Sequence, residues 1–450
     1  MNESKLKKFE IKNLFNQHDV CIPLDRDINI FLGENGMGKT TILNCLYCVL
    51  SSNLENLSNV IFEEIILTLS DESKIEVRRI DVMAYNEEYV YDKPYRRRKI
   101  NLNDILSEKE LEEMRNIVVH DTVYSEQLQK YIYKLSEIYG MPLRLAMQEI
   151  ERYILQLQGK NIKGDYKKIV EAKKTIKERI PQEILYFPTY RRIEEDITKL
   201  GIEIDSDKIK NQFIQFGMTD VEKAKDTILK TIKSIAINSF TRLTGVLLKQ
   251  YLDNDLPNTE INSIDCEKLS IVLVRVGDEI DKKDKERIME LARSADIYNS
   301  ENRYLLNLIN QLIESYEQQR LYDDRVKKFE NVCNSYLNGK SFKYDASNLE
   351  LDIYKDNSQK PISFQNLSSG EKQVISIFSK LYLEDTKDCI ILFDEPELSL
   401  SIKWQMRFLP DIMDSNKCIN LITVTHSPFI FDNEYDSLAC NMGTYITDRK

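Results

Sequence analysis

Near the N-terminus, two glycines are separated by four residues, and the second is followed directly by a lysine and a threonine. The stretch is GENGMGKT, Gly33 to Thr40, and the residues before it, Asp27 to Leu32, predict a short buried strand. Glycines let the backbone turn through conformations that a Cβ forbids, with its N–H groups pointing inward. Thr40 opens a predicted helix, whose positive dipole end faces the same space. Strand, loop and helix in this order predict a phosphate-binding loop rather than a simple glycine turn.

The same stretch predicts roles for individual residues in binding ATP. We expect Lys39 to reach the β- and γ-phosphates and the Thr40 hydroxyl to hold Mg²⁺. Because the loop would wrap the phosphates with its backbone, the further predicted nucleotide contacts are Gly33, Asn35, Gly36 and Gly38 within the loop and Thr41 directly after it.

Two acids and a histidine follow predicted core strands near the C-terminus. The apolar run 389–393 ends in Asp394 and Glu395, and the apolar run 418–425 ends at His426. Ligands collect at the carboxyl ends of parallel strands, so we expect Asp394 beside the Mg²⁺ and Glu395 oriented toward the attacking water. His426 is predicted to contact the γ-phosphate or that water, although a lone histidine is more often structural.

A second anion-binding surface is predicted at Ser368, Ser369, Gly370 and Glu371, where the pattern of a new helix begins. A serine pair and a glycine at a helix start offer hydroxyls and N–H groups to a phosphate. The alternative is simply a capped helix. A phosphate loop already encloses one side of a triphosphate, so this surface makes mechanical sense if another subunit offers it to the γ-phosphate.

The predicted type of secondary structure changes twice along the chain. Residues 1–100 alternate in short strand patterns, residues 101–340 are mainly helical in pattern with one core-like strand near 184–190, and residues 341–450 return to strands. We therefore predict a nucleotide-binding core whose two halves, 1–100 and 341–450, are separated in sequence by a helical insertion.

Composition and charge further narrow the class of protein that is expected. The chain has 450 residues, 42% of them hydrophobic and 30% charged, with no apolar run long enough to span a membrane, and we expect a cytoplasmic protein. The net charge of −11 argues against a surface that binds nucleic acid everywhere, but it leaves room for a local basic groove. Eight scattered cysteines predict reduced thiols, and for the pair Cys45 and Cys48 we favour packing over metal or redox chemistry.

Four motifs, GENGMGKT, LSSGEKQ, CIILFDEPELSL and VTHSP, occur in that order and resemble the Walker A, signature, Walker B with D-loop, and switch-histidine motifs of ABC-type ATPases. The signature variant and the split core resemble the OLD, RecF and SMC group. The resemblance implies an α/β P-loop NTPase with an ABC-type head, that is, a mixed sheet plus an antiparallel β lobe split by a mainly α-helical insertion. It also implies a homodimer or higher homo-oligomer in which Ser368, Ser369 and Gly370 of one subunit face the ATP and Mg²⁺ of the other, with Glu395 as the catalytic base.

The stretch LYFPTYRRIEED, residues 185–196, resembles the ATPase subunit of Septu-type anti-phage systems, which act with a separate HNH nuclease and sometimes with a retron. The same stretch could instead be the core strand that supplies the glutamine loop of the family, with Gln182 before it. Arg191 and Arg192 could pair with acids or with phosphates. OLD nucleases carry a metal-nuclease domain after the ATPase motifs, whereas Lys450 follows His426 closely. We therefore expect any cutting to come from a partner protein.

Three functions compete at this point. The first is an ATPase that dimerises around ATP and senses or clamps nucleic acid, DNA or retron RNA/DNA, to regulate a separate effector nuclease in anti-phage defence. The second is a RecF/SMC-like DNA-repair clamp without a nuclease partner. The third, a transporter subunit, is disfavoured by the helical insertion and the GEKQ signature. The basic run 95–99, YRRRK, predicts either phosphate contacts or a solvated loop.

Overall fold

The computed structural model describes residues 5–34, 36–90, 106–107, 109–110, 126–140, 143, 146–147, 149–150, 153, 164–188, 218–253, 264–276, 280–299 and 302–449. The predicted roles of Asn35, the basic run 95–99, Arg191 and Arg192 lie outside these residues. The chain forms two compact units: residues 1–203, 388–397 and 418–450 make up the first, and residues 204–387 and 398–417 the second. The predicted domain division at residues 100 and 340 stays a prediction.

The first unit contains a five-stranded antiparallel sheet with the order β12-β2-β1-β4-β5. Buried residues alternate with exposed or half-buried ones in β2 and β5, as the strand patterns of residues 1–100 predict, whereas residues 65–69 of β4 are all buried. Strands β4 and β5 form an antiparallel hairpin. The left-handed φ of +66° at Glu72 closes that hairpin. The strands are β1 (Leu6–Leu14), β2 (His18–Pro23), β4 (Glu64–Leu69), β5 (Lys74–Arg78) and β12 (Ile446–Asp448).

A second sheet in the same unit has the order β11-β3-β10-β9-β6, and every neighbouring pair is parallel. All six residues of β9 are buried, as the continuous apolar run predicts for a parallel strand. The strand near 184–190 is found as β6, beside β9. The strands are β3 (Ile28–Leu32), β6 (Glu183–Phe187), β9 (Cys389–Asp394), β10 (Cys418–Thr425) and β11 (Ala439–Asn441).

Four helices of the first unit are described: α1 (Lys39–Leu50), α2 (Arg79–Tyr85), α3 (Glu126–Tyr139) and α4 (Tyr166–Arg179). Apolar side chains of α1 share one core with both sheets, including Ile42 and Leu46 from the helix, Phe9 from β1 and Ile422 from β10. This shared core fixes where α1 begins with respect to the strand ends. The predicted α/β fold with an antiparallel β lobe is confirmed.

The second unit is mainly helical and carries one antiparallel hairpin. The helical pattern predicted for residues 101–340 is interrupted at Ala295, whose φ of +62° cannot continue a right-handed helix. The elements are α5 (Met218–Asp253), α6 (Cys266–Arg275), α7 (Lys282–Arg293), α8 (Arg303–Asn334), β7 (Lys340–Asp345), β8 (Glu350–Lys355), α9 (Ser369–Tyr382) and α10 (Ile402–Met413).

A buried ion pair joins two helices of this unit. The Arg275 guanidinium of α6 lies 2.8 and 2.9 Å from the two carboxylate oxygens of Asp323 of α8, with side-chain exposures of 5% and 0%. Arg275 also donates to the Ala346 carbonyl and Gln319 Oε1, and the Tyr344 hydroxyl donates to Asp323. Because both charges are paired and hydrogen-bonded, the pair can be buried. Removing one partner would leave the other charge buried and unpaired.

Candidate active site

The parallel sheet brings three predicted motifs to one edge of the first unit. In the ladder, Asp394 of β9 pairs with Val424 of β10, and Thr425 of β10 pairs with Leu32 of β3. The three strands therefore end at nearly the same level, and the segments that follow them meet there. These segments are the phosphate loop after β3, the acids that close β9 and His426 after β10.

The phosphate loop uses its glycines as the sequence predicts. Gly36 and Gly38 have φ values of +86° and +75°, in the left-handed region that disfavours a side chain. At Gly33, an added Cβ would lie 2.9 Å from Lys39 Cδ, so any larger residue would displace the lysine stem from its present position. Gly38 is the N-cap of α1 and has no side chain to cap the helix, which leaves the first N–H groups of α1 to a ligand.

Lys39 is the first residue of α1 and is 5% exposed. Its ammonium lies 2.8 Å from the Glu34 carbonyl and 2.6 Å from His426 Nε2. Burial lowers the pKa of Lys39, and the negative charges of Glu395 and Asp394 act in the opposite direction. The predicted contact between Lys39 and the phosphates stays a prediction.

His426 Nε2 is shared by two groups of opposite chemistry. Besides Lys39 at 2.6 Å, Glu395 Oε1 lies 3.2 Å from the same nitrogen. Nε2 must accept a hydrogen bond from the ammonium but must donate one to the carboxylate, so the two contacts need different protonation of the ring. A group that takes Lys39 away from His426 would therefore favour the contact between His426 and Glu395.

The two acids at the end of β9 differ in environment. Asp394 is 2% exposed, whereas the Glu395 side chain is 22% exposed. Glu395 has a φ of +53°, and its N–H donates to the Val424 carbonyl at 2.8 Å. A left-handed conformation at a residue other than glycine costs of order 1–3 kcal/mol and persists only where its surroundings enforce it. The strand end therefore holds one acid deep in the site and turns the next toward solvent.

The oxygen ligands expected for Mg²⁺ are the Thr40 hydroxyl and the Asp394 carboxylate. Within the described part of the chain, no group of three or more His, Cys, Asp or Glu side chains could hold a metal ion by itself. This donor set fits Mg²⁺, which typically binds through one or two carboxylates, substrate phosphates and water. Thr40 is exposed at the start of α1, whereas Thr41 is half-buried.

The signature residues begin α9 in the second unit. The Ser368 hydroxyl accepts from the Glu371 N–H at 3.3 Å, and a Glu371 carboxylate oxygen accepts from the Ser368 N–H at 2.7 Å, which makes a capping box. Lys340 of β7 contacts both Glu371 carboxylate oxygens, at 2.7 and 3.0 Å. An added Cβ at Gly370 would lie 2.2 Å from the Ser399 carbonyl oxygen, so Gly370 is required for packing.

Burial alone would raise the pKa of Glu371, but Lys340 and the Ser368 N–H lower it below its ordinary value. Glu371 is therefore a buried carboxylate with its hydrogen bonds already made inside the unit. Ser368 is exposed and Ser369 is half-buried, so these two hydroxyls are the accessible members of the motif. The predicted nucleotide contacts of all four residues stay predictions.

Sequence reasoning missed one residue of the site. Glu397 is 9% exposed and accepts hydrogen bonds from the N–H groups of His426 and Ser427. It stands in the quoted run DEPELSL, but nothing in the run predicts that its partners lie about thirty positions along the chain.

Cys45 and Cys48 lie on α1, one buried and one half-buried, and all eight cysteines are free. Burial raises the pKa of Cys48 to about 12, so a thiolate for metal binding or redox chemistry is suppressed. The packing interpretation is favoured. Among the residues that the structure describes, no helix combines the length and apolar character needed to cross a membrane.

Fold and site together define a P-loop ATPase with the motif order of the ABC type. The profile of the AAA ATPase domain family matches residues 5–431, and the chain belongs to this family.

The chain is also similar to individual known proteins. The DNA replication and repair protein RecF of Staphylococcus haemolyticus (strain JCSC1435) is 35% identical over 72 residues, which are 16% of this chain and 19% of that protein. The Smc head domain with an extended coiled coil bound to the C-terminal domain of ScpA, from Pyrococcus furiosus, is 15% identical with a TM-score of 0.33, covering 95% of this chain and 91% of that one. A second SmcHead structure, bound to the C-winged helix domain of ScpA, is 12% identical with a TM-score of 0.31 and the same coverage.

Proposed function

We propose that the chain binds ATP with Mg²⁺ and hydrolyses it at the edge where β3, β9 and β10 end. The observation that carries this proposal is the meeting of Lys39, Glu395 and His426 around one nitrogen, with distances of 2.6 and 3.2 Å. Phosphoryl transfer to water uses a phosphate-binding lysine and a group that orients or deprotonates the water, as a carboxylate can, and an imidazole within reach can supply a further hydrogen bond.

Each residue then has a role. Lys39 and the N–H groups from Gly33 to Thr41 bind the triphosphate, and Lys39 exchanges its contact with His426 for a charge-assisted one with phosphate. Thr40 and Asp394 hold Mg²⁺, which when bound neutralises phosphate charge. Glu395 takes the proton of the attacking water, and His426 donates a hydrogen bond to the γ-phosphate.

The signature residues complete the site across a homodimer. The motif order supports this part of the proposal, as do the accessible Ser368 and Ser369 hydroxyls at the start of α9. Glu371 is occupied by the capping box and Lys340, so its part in nucleotide binding is to hold the serines in place.

At the level of the cell, this ATPase senses or clamps nucleic acid and regulates a separate HNH-type nuclease in cytoplasmic anti-phage defence, in some systems with retron RNA or DNA. Support comes from the resemblance of residues 185–196 to the Septu-type ATPase subunit. A second candidate is a DNA-repair clamp without a nuclease partner, which the 35% identity to a RecF segment favours.

One purification series tests these proposals. Phosphate release from ATP should require Mg²⁺ and stop in EDTA, and ATP should shift the Glu395→Gln variant from monomer to dimer in light scattering. Absence of Mg²⁺-dependent release from the intact chain and its native partners would contradict the ATPase proposal. Co-isolation of a nuclease from the native host supports the defence function, whereas DNA-stimulated hydrolysis without a co-isolated nuclease supports the repair clamp.

A further inference from the structure

Glu397 connects two loops of the active site through one oxygen. It follows Asp394 by three residues, and its Oε1 accepts from the His426 N–H at 2.7 Å and the Ser427 N–H at 3.1 Å. The side chain is 9% exposed, so these bonds are made largely out of water. A buried carboxylate that accepts two backbone N–H groups makes charge-assisted hydrogen bonds, which are shorter and stronger than neutral ones.

A second connection between the same loops lies two residues earlier. The Glu395 N–H donates to the Val424 carbonyl at 2.8 Å, and Glu395 itself is left-handed with a φ of +53°. Between Glu395 and Glu397 stands Pro396, whose ring fixes its φ. The short segment is therefore stiff and is attached to the β10 side at both ends. A strained Glu395 needs such attachments to stay in place.

We propose that Glu397 is a positioning residue, which sets the His426 ring against Lys39 and Glu395 by holding the His426 backbone. The expected effect on kcat rests on the proposed ATP hydrolysis, whereas the expected displacement of the His426 ring does not. Loss of the acceptor oxygen would release the His426 N–H and let the ring move away from Glu395, 3.2 Å from it here. Small displacements of this kind carry large kinetic costs, because reacting groups must meet in a narrow range of geometries.

Three variants separate positioning from simple loss of stability. Glu397→Ala removes the acceptor, Glu397→Gln keeps an acceptor oxygen without charge, and Glu434→Ala removes an exposed carboxylate of the same unit as a control. We expect Glu397→Ala to lower kcat roughly 10–100-fold with less than about a 2-fold change in the KM for ATP, and Glu397→Gln to recover to within about 3-fold of the unmodified chain. An unchanged kcat in Glu397→Ala, or a Gln variant as slow as the Ala variant, would overturn the proposal.

A spectroscopic measurement tests the contact without requiring any turnover. The chain has three histidines, so ¹⁵N-histidine labelling gives few ring signals, and His426→Gln identifies those of His426. Glu397→Ala should shift the His426 ring signals, Glu397→Gln should leave them close to their original positions, and the His18 signals should not move in either. Glu397→Asp, one methylene shorter, replaces the Ala variant if that one does not fold. Unmoved His426 signals in a folded Ala or Asp variant would contradict the proposal, and this outcome is distinct from a chain that simply does not hydrolyse ATP.

Discussion

Helices α1 and α9 both begin at motifs predicted to bind phosphate, yet their N-termini are satisfied in different ways. Helix α1 begins after Gly38, a left-handed residue without a side chain, and its first N–H groups have no cap from that position. Helix α9 begins after Ser368 with a complete capping box, and the carboxylate of Glu371 is held there by Lys340. The first N–H groups of α1 are left to a ligand. At the start of α9, N–H groups are already hydrogen-bonded in the capping box, and the Glu371 carboxylate places a negative charge there.

The difference has an electrostatic consequence. A helix N-terminus attracts anions through unsatisfied N–H groups and the helix dipole, and a resident carboxylate offsets both. We therefore expect the α1 end to bind the triphosphate within one chain. The α9 end should contribute only hydroxyl contacts, from Ser368 and Ser369, to a phosphate already bound elsewhere.

The largest effect is expected for hydrolysis at the α1 side. Glu395→Gln removes the proposed general base but keeps size and shape, so the hydrolysis rate should fall about 10²–10⁴-fold while ATP still binds. Phosphate release under single-turnover conditions measures the rate, and calorimetry measures the binding. A rate equal to that of the unmodified chain would remove Glu395 from this role.

Nucleotide binding should depend on one lysine and not on the other. Lys39→Ala removes contacts to two phosphates, each worth about 1.5–3 kcal/mol, so the Kd for ATP should rise by about 100-fold or more. Lys340→Ala is the matched control in the second unit and should leave the Kd of the single chain unchanged. Calorimetric titration with ATP compares the two, and equal losses in both variants would erase the contrast between the helix starts.

For the free energy of unfolding, we expect the reverse: substitution of Lys340 should have a larger effect than substitution of Lys39. Lys340→Met keeps an apolar stem but leaves Glu371 without its cation, which should destabilise the second unit by about 1–3 kcal/mol. Chemical denaturation followed by circular dichroism measures the change. Lys39→Met should be far less destabilising, since burial of its ammonium is unfavourable in the first place.

The pH dependence of stability provides a second test of the ion pair between Lys340 and Glu371. The pKa of Glu371 is lowered in the folded chain, so its contribution is complete above the ordinary value of 4.5 and is lost as pH falls through the folded value. Stability should therefore drop more steeply below pH 4.5 in the unmodified chain than in Glu371→Gln. Parallel curves would contradict the proposed state of Glu371.

The smallest effect is expected for the cap itself. Ser368→Ala removes the side-chain cap of α9 and should cost about 1 kcal/mol of stability. Ser369→Ala removes a hydroxyl that takes no part in the capping box and should leave the melting temperature nearly unchanged. Scanning calorimetry distinguishes the two serines, and equal losses would mean that Ser369 also caps the helix.

The parallel strands of the first unit could be predicted from the sequence because each one follows from a local pattern. Continuous apolar runs that end in acids or histidine, such as 389–395, indicate buried parallel strands, and the ends of such strands meet at one edge. The Ser368 to Glu371 spacing is also local, so a capped helix could be foreseen as the alternative at that motif.

What the sequence does not reveal are contacts between distant positions. Lys340 reaches Glu371 across 31 residues and Arg275 reaches Asp323 across 48, and no periodicity encodes either pair. The left-handed Glu395 is equally hidden, because glutamate rarely adopts that conformation and only the surrounding ladder enforces it. Glu397 escaped notice for the same reason, since its partners, His426 and Ser427, lie in the segment that follows the neighbouring strand.

The most direct test of the account mixes two inactive chains. Lys39→Ala lacks the α1 phosphate site, and Ser369→Arg blocks the accessible start of α9, so neither should hydrolyse ATP alone. If the two helix starts act on the same nucleotide from different subunits, an equal mixture should regain about a quarter of the unmodified rate, because half of the dimers carry one intact composite site of two. A mixture as inactive as its separate components would contradict the account.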